Sequence, residues 1–314
     1  MVAGKRYKPI DLRRLRRKRL KDRKSLVMIE KFSKIPDVCG SIEAYFSSLP
    51  DVLAVCSLKK LAQKIADATR EEKTVLVMFG AHLLKCGLTP LLVDLAERGI
   101  VTALATNGAS GVHDIELAIE GKTSEDVAEA IKDGSFGMSR DTAKVFAEAV
   151  KAGVKDGLGI ALGRRLLDSP YSDLSLFASA YRLGVTVTVH CAIGTDIVHI
   201  HPELDAAALG EATHIDFRKF CSVVSDLEGG VVLNIGSAVI MPEVFLKAIS
   251  VARNISGKPK NFVAANMDIM RHYRSTQNVL LRPGGEPIEL IGHHEINLPL
   301  LYCAILLAME GRLK

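Results

Sequence analysis

Residues 185–190 read VTVTVH, with a β-branched side chain at every position but the last. Such side chains are stiff at χ1 and pack well on a pleated surface, so the segment predicts a strand. Just upstream, helical spacing at 174–182 stops at Gly184, the residue type that most readily closes a helix. Further upstream, TVLVMF at 74–79 ends at Gly80, and 100–105 runs into TNGASG at 106–111. Both carry the short apolar run and glycine punctuation of buried strands. Downstream, 230–234, 261–265 and 288–291 repeat the pattern. Helical spacing fills 57–72, 88–98, 112–120, 124–133, 139–152, 216–227, 244–253 and 295–309, with a short helix at 41–48. Strands alternating with helices join by right-handed crossovers into a parallel sheet. The expected fold is therefore α/β, a doubly wound parallel sheet with helices on both faces. Residues 275–287, STQNVLLRPGGEP, read as its longest loop.

Composition agrees with one large core. Hydrophobic residues make up 48 % of the 314, Trp is absent and aromatics are 5 %, so Val, Ile, Leu and Ala must build the interior. No apolar run is long enough to span a bilayer, and the charged N-terminus does not read as a signal peptide. Six scattered cysteines without a CxxC pair fit reduced thiols and a cytoplasmic protein. Residues 5–24 hold twelve Lys/Arg against two Asp, so the formal charge of +5 hides a mildly acidic body. The division is a basic helical arm at 1–35 and a single nucleotide-binding α/β domain at 36–314. The arm carries no aromatic platform or recognition motif. It reads as packing on an acidic neighbouring subunit rather than on nucleic acid.

Polar and glycine residues gather where the strands end. The first strand delivers Gly80 and His82; the second, Thr106, Asn107, Gly108 and Gly111. VTVTVH delivers His190, then Gly194, Thr195 and Asp196; the next two deliver Asn234, Gly236 and Ser237, then Asn266 and Asp268. Ligands of open parallel sheets bind at this edge, where glycines admit close approach of backbone. GxGxxG, GxxxxGK[ST] and a nucleophile elbow are all absent. The HIH segment of His199 and His201, with His190 and His293–His294, raises a metal reading. Without HExxH or a carboxylate triad, hydrogen-bonding histidines in a polar cleft are expected, and no metal.

Four segments, KCGLTPLLVDLAERGIVTALATNGASGVHD, LFASAYRLGVTVTVHCAIGTD, GGVVLNIGSAVIMPEV and HHEINLPLL, resemble deoxyhypusine synthase in sequence and order over roughly residues 74–305. The resemblance implies a deoxyhypusine synthase-like NAD-binding fold and a homotetramer with sites between subunits. It implies that Thr106, Asn107, Gly108, Ala109, Gly111, Asp196, Gly236 and Ser237 lie near NAD. His113 and Asp114 fall where the family places a carboxylate for the polyamine, and His293 and His294 near another cofactor contact. The chain departs from the family at its imine-forming lysine: NVLLRPGG stands there, and no lysine occurs between 261 and 313. A guanidinium stays protonated and cannot replace it. Arg271 and Arg274 stand where the family has an acidic loop, which suggests an anionic substrate.

The expected function is that of an NAD-binding enzyme acting on a small polar metabolite by oxidation or NAD-assisted group transfer. His190 or His113 would be its acid–base group, with Asp114 beside the substrate. Gly80 and Asp268 join the cofactor set, and Asp196 would bind ribose or orient a histidine. Aminobutyl transfer from spermidine to a protein lysine is the alternative, with Lys85 or Lys247 standing in. A non-enzymatic nucleotide-binding assembly protein is the third reading.

Overall fold

A computed structural model describes residues 8–19, 22 and 28–313. Its centre is one all-parallel sheet of six strands: β1 (Val75–Phe79), β2 (Ala103–Asn107), β3 (Thr186–His190), β4 (Val231–Ile235), β5 (Val263–Asp268) and β6 (Glu286–Ile291). The order is β3-β2-β1-β4-β5-β6. The chain winds outward from β1 to β3, then returns to lay β4 against β1, with Val77 opposite Leu233. The winding direction therefore reverses between β1 and β4, which opens a crevice at their carboxyl ends.

The helices are α1 (Ile42–Ser48), α2 (Leu53–Arg70), α3 (His82–Lys85), α4 (Thr89–Glu97), α5 (Gly108–Glu120), α6 (Val127–Ala130) and α7 (Arg140–Asp156). They continue with α8 (Leu158–Leu166), α9 (Leu176–Leu183), α10 (Ala206–Ser225), α11 (Ile240–Ser256), α12 (Tyr273–Ser275) and α13 (His294–Met309). Alternation along the strands feeds two cores. Val75, Val77, Phe79, Leu104, Val187, Val189 and Leu233 pack under α2, α4, α5, α8 and α13. Leu76, Met78, Ala103, Ala105 and Val232 face the other way, onto Phe220 and Val224 of α10 and Phe245 and Ile249 of α11.

Several elements differ from the expectation. β2 runs on through Thr106 and Asn107 and α5 starts at Gly108, so GASG of TNGASG is the first turn of a helix; Asn107 caps it by accepting the Ser110 N–H at 3.2 Å. α8 lies in a stretch where the sequence predicts nothing, and α10 begins ten residues before the expected 216. Residues 276–281 form a π-helical turn instead of an open loop. The arm's described residues carry only single 3₁₀ turns, Leu12–Arg14 and Ile29–Lys31, in place of the expected helix. Ile10, Leu12 and Leu15 are all exposed, so no apolar burial supports a helix there, and the described arginine pairs, Arg13 with Asp11 and Arg19 with Asp22, are local. All six cysteines are free, and among the described residues no helix is long and apolar enough to cross a membrane.

Candidate functional site

The β1 and β4 turns meet at the crevice. A Cβ on Gly80 would lie 2.4 Å from the Gly236 carbonyl oxygen, so only a glycine lets the two backbones approach. Gly236 has φ +62°, and a Cβ there would strike His294 Nε2 at 2.6 Å. Asn234 holds this turn by donating to the Ser237 carbonyl at 3.0 Å and to Asn266 Oδ1 at 2.8 Å. His294, the first residue of α13, is buried with Nδ1 unpartnered. Burial lowers its proton affinity, and Asp268 pulls it back up. Asp268 is also buried; its Oδ1 accepts the Ile269 N–H at 2.8 Å, and its Oδ2 has no hydrogen-bond partner, with His272 Nε2 3.9 Å away. The His82 ring sits 6.0 Å from that of His294, and His293 is exposed beside it.

A cleft of about 180 Å³ opens next to this crevice, past α3. Lys85 lines it from α3, Ala109, His113 and Glu116 from α5, and Thr195 and Asp196 from the segment after β3. Asp196 is buried at the amino end of α5, close to the Ala109 N–H. Burial raises its proton affinity, opposed by His199 and by that N–H, and its Oδ2 lacks a partner. The larger hollow, about 420 Å³, lies at the amino edge of the sheet against Gly230 and Val263. Its Lys64 is already bridged to Glu286, and the amino edge is not where parallel sheets bind ligands.

Gly80, Asn107, Gly108, Ala109, Asp196, Gly236, Asp268, His293 and His294 thus gather along one edge. Other expected site residues serve the scaffold. Thr106 is fully buried and donates to the Phe79 carbonyl at 2.9 Å. A Cβ on Gly111 would press on Phe146 and Leu162 at 3.2 Å, so that glycine lets α5 approach α7 and α8. Ser237 caps α11, accepting the Met241 N–H at 3.2 Å.

Two of the three residues expected to act on the substrate, His190, His113 and Asp114, are placed elsewhere by the geometry. Asp114 is completely buried beneath α9, accepting the Ser175 hydroxyl and the Leu176 and Phe177 N–H groups. It therefore caps that helix instead of facing a substrate. His190 shares a face of β3 with Thr188, whose Oγ1 is 3.0 Å from its Nε2, and its ring packs 5.1 Å from Phe220. Burial pushes its pKa down to about 3, so it stays neutral inside the second core. His113 alone lines the cleft, with Glu116 and Thr123 as neighbours that the sequence reading did not single out. The available signal was the i, i+3 spacing of His113 and Glu116 on one helix face.

Arg271 pairs with Glu289 and Arg274 with Glu243, so both expected anion contacts are already neutralised. His199 Nδ1 accepts the Gly194 N–H at 3.0 Å, and His201 Nε2 lies 2.8 Å from the Gly137 carbonyl oxygen. Among the described residues no three His, Cys, Asp or Glu side chains converge to hold a metal.

No protein-family model matches the chain, and no curated protein does. Its fold does recur among solved structures. ArgZ, an arginine dihydrolase from the ornithine–ammonia cycle in cyanobacteria, superposes with a TM-score of 0.52 at 16 % identity over 81 % of this chain and 33 % of its own. AgrE in ternary complex with ornithine and NAD+ gives 0.51 at 12 % identity over 83 % and 34 %. A protein from Entamoeba histolytica assigned as a deoxyhypusine synthase gives 0.51 at 14 % identity over 87 % and 96 %. This chain spans about a third of the length of ArgZ and AgrE. At these identities the likeness is one of fold, and the fold is deoxyhypusine synthase-like.

Proposed function

We propose that the chain binds NAD or a related dinucleotide across the β1–β4 crevice and positions a small polar metabolite in the neighbouring cleft for oxidation or NAD-assisted group transfer. The observation that carries this reading is the pair of unpartnered polar atoms, His294 Nδ1 and Asp268 Oδ2, buried where Gly80 and Gly236 bring two backbone turns together. Buried polar groups are rarely left unpaired, so the edge fits a polar ligand that completes them. The ternary complex of AgrE with ornithine and NAD+ supports the cofactor class on this fold.

Gly80, Gly236, Asp268, His293 and His294 would hold the dinucleotide, with Asn107, Gly108, Ala109 and Asp196 on its other flank. The nicotinamide, when bound, supplies a hydride acceptor. His113 is the group that can take or return a proton at the cleft wall. Lys85 at the mouth attracts an anionic part of the substrate, and Asp196 Oδ2 accepts a hydrogen bond from its hydroxyl or amino group. Titration calorimetry of the full chain with NAD+ and NADH is the test. Micromolar binding is expected, weakened by His294→Ala. Absence of binding by every adenine dinucleotide would overturn the reading.

A further inference from the structure

His113 lies on the second turn of α5, its side chain 14 % exposed in the cleft. Its Nδ1 is 2.6 Å from Thr123 Oγ1, and the Thr123 hydroxyl donates to Glu116 Oε2. The direct Nδ1–Oε2 separation is 3.6 Å, too long for a hydrogen bond, so the threonine is the link. A threonine hydroxyl has one proton. Burial pushes the Glu116 carboxyl up, but the nearby His113 ring and the Thr123 hydroxyl outweigh it and hold it below the usual range. It is therefore ionised and only accepts. The hydroxyl proton is thus committed to Glu116, and Thr123 offers His113 only a lone pair. The hydrogen between them must sit on Nδ1. Among the described residues no protein hydrogen bond reaches His113 Nε2, so its lone pair is left for the cleft.

We propose that Thr123 and Glu116 form a relay that fixes His113 as the Nδ1–H tautomer and makes Nε2 the proton acceptor of the cleft. The proposal rests on the reading of this cleft as the substrate pocket. In the step it serves, a substrate O–H or N–H bond breaks, the electron pair stays on the substrate, and the proton forms the Nε2–H bond. The imidazolium so formed lies 3.6 Å from the Glu116 carboxylate, which offsets its charge. Thr123 and Glu116 act only through His113 and are positioning residues.

The test is a long-range ¹⁵N–¹H correlation spectrum of the full chain labelled at histidine, near neutral pH, with His113→Gln to assign the signal. The wild type is expected to show the Nδ1–H pattern. Thr123→Val should move His113 toward the Nε2–H form that a free histidine side chain prefers, and Thr123→Ser should restore the original pattern. The other histidine signals, which must stay in place, report that the variants are folded. An Nε2–H pattern in the wild type, or an unchanged pattern in folded Thr123→Val, would overturn the relay. Calorimetry with NAD+ supplies a second arm: Thr123→Val should bind as the wild type does, and a tenfold loss would move Thr123 into the cofactor site and overturn its assignment here. If the wild type binds no dinucleotide while His113 holds the Nδ1–H pattern, the crevice reading fails and the relay stands.

Discussion

Asp196 stands directly over Gly108: a Cβ built on Gly108 would lie 2.3 Å from Asp196 Oδ2. Gly108→Ala should therefore push the carboxylate off the amino end of α5. Affinity for a dinucleotide should fall about tenfold, or about 1.4 kcal/mol. Calorimetry on the variant checks this, and unchanged binding would detach Asp196 from the cofactor.

A second carboxylate sets a pH dependence. Asp216 Oδ2 accepts the Gly159 and Val189 N–H groups, each at 2.8 Å. Burial nonetheless pushes its pKa from 3.8 up to about 7. The folded state then holds this proton more tightly than the unfolded chain. Its stabilising contribution is complete below the unfolded pKa and is lost as pH rises through the folded one. Asp114, raised to about 6 by burial, acts in the same direction. Urea unfolding should show Asp216→Asn gaining on the wild type by at least about 1 kcal/mol between pH 5 and pH 8. Parallel pH profiles for the two proteins would refute this account.

His190 should behave as a core residue. Its ring fills space beside Phe220, so His190→Ala should cost about 2 kcal/mol in urea unfolding through the cavity it leaves. Dinucleotide affinity should change less than about twofold, since the side chain points away from the crevice. A variant of full stability that binds tenfold more weakly would return His190 to the site.

The chain should not form an imine with spermidine. Residues 261–313 contain no lysine, and Arg282 is held by Asn278 Oδ1 at 2.8 Å and the Tyr273 hydroxyl at 3.0 Å. Borohydride reduction in the presence of labelled spermidine should leave no adduct in the peptide map. A specific adduct on Lys85, the lysine that lines the cleft, would favour aminobutyl transfer instead.

The sheet was legible because its strands are short apolar runs with polar ends, and the edge on which ligand groups collect followed from that. The glycines misled. Gly157, Gly159 and Gly163 deny α8 a helical pattern in the sequence, yet they are there for contact. A Cβ on Gly159 would lie 2.0 Å from the Val187 carbonyl oxygen, and one on Gly163 2.6 Å from that of Phe177. A helix pressed this closely on a strand and on α9 needs glycine within it, and no local pattern announces such a neighbour. His190 was misplaced for a related reason. Alternation puts it on the face of Thr188, but only the position of α10 decides that this face is closed by Phe220. Asp114 looked available because its partners, Ser175 to Phe177, are some sixty residues away in sequence.

The junction at Asn107 and Gly108 has no slack: β2 ends on one residue and α5 starts on the next. Backbone at that lip cannot shift without dragging a central strand, so a ligand meets a surface already set and loses little freedom in ordering it. The facing lip is different in kind. Residues 121–126 are mostly exposed and join α5 to the short α6, so they can change length or composition without disturbing the sheet. Divergence in substrate preference should therefore accumulate at the positions flanking Thr123, which the relay itself holds, while the Asn107 side stays constrained by the need to fold.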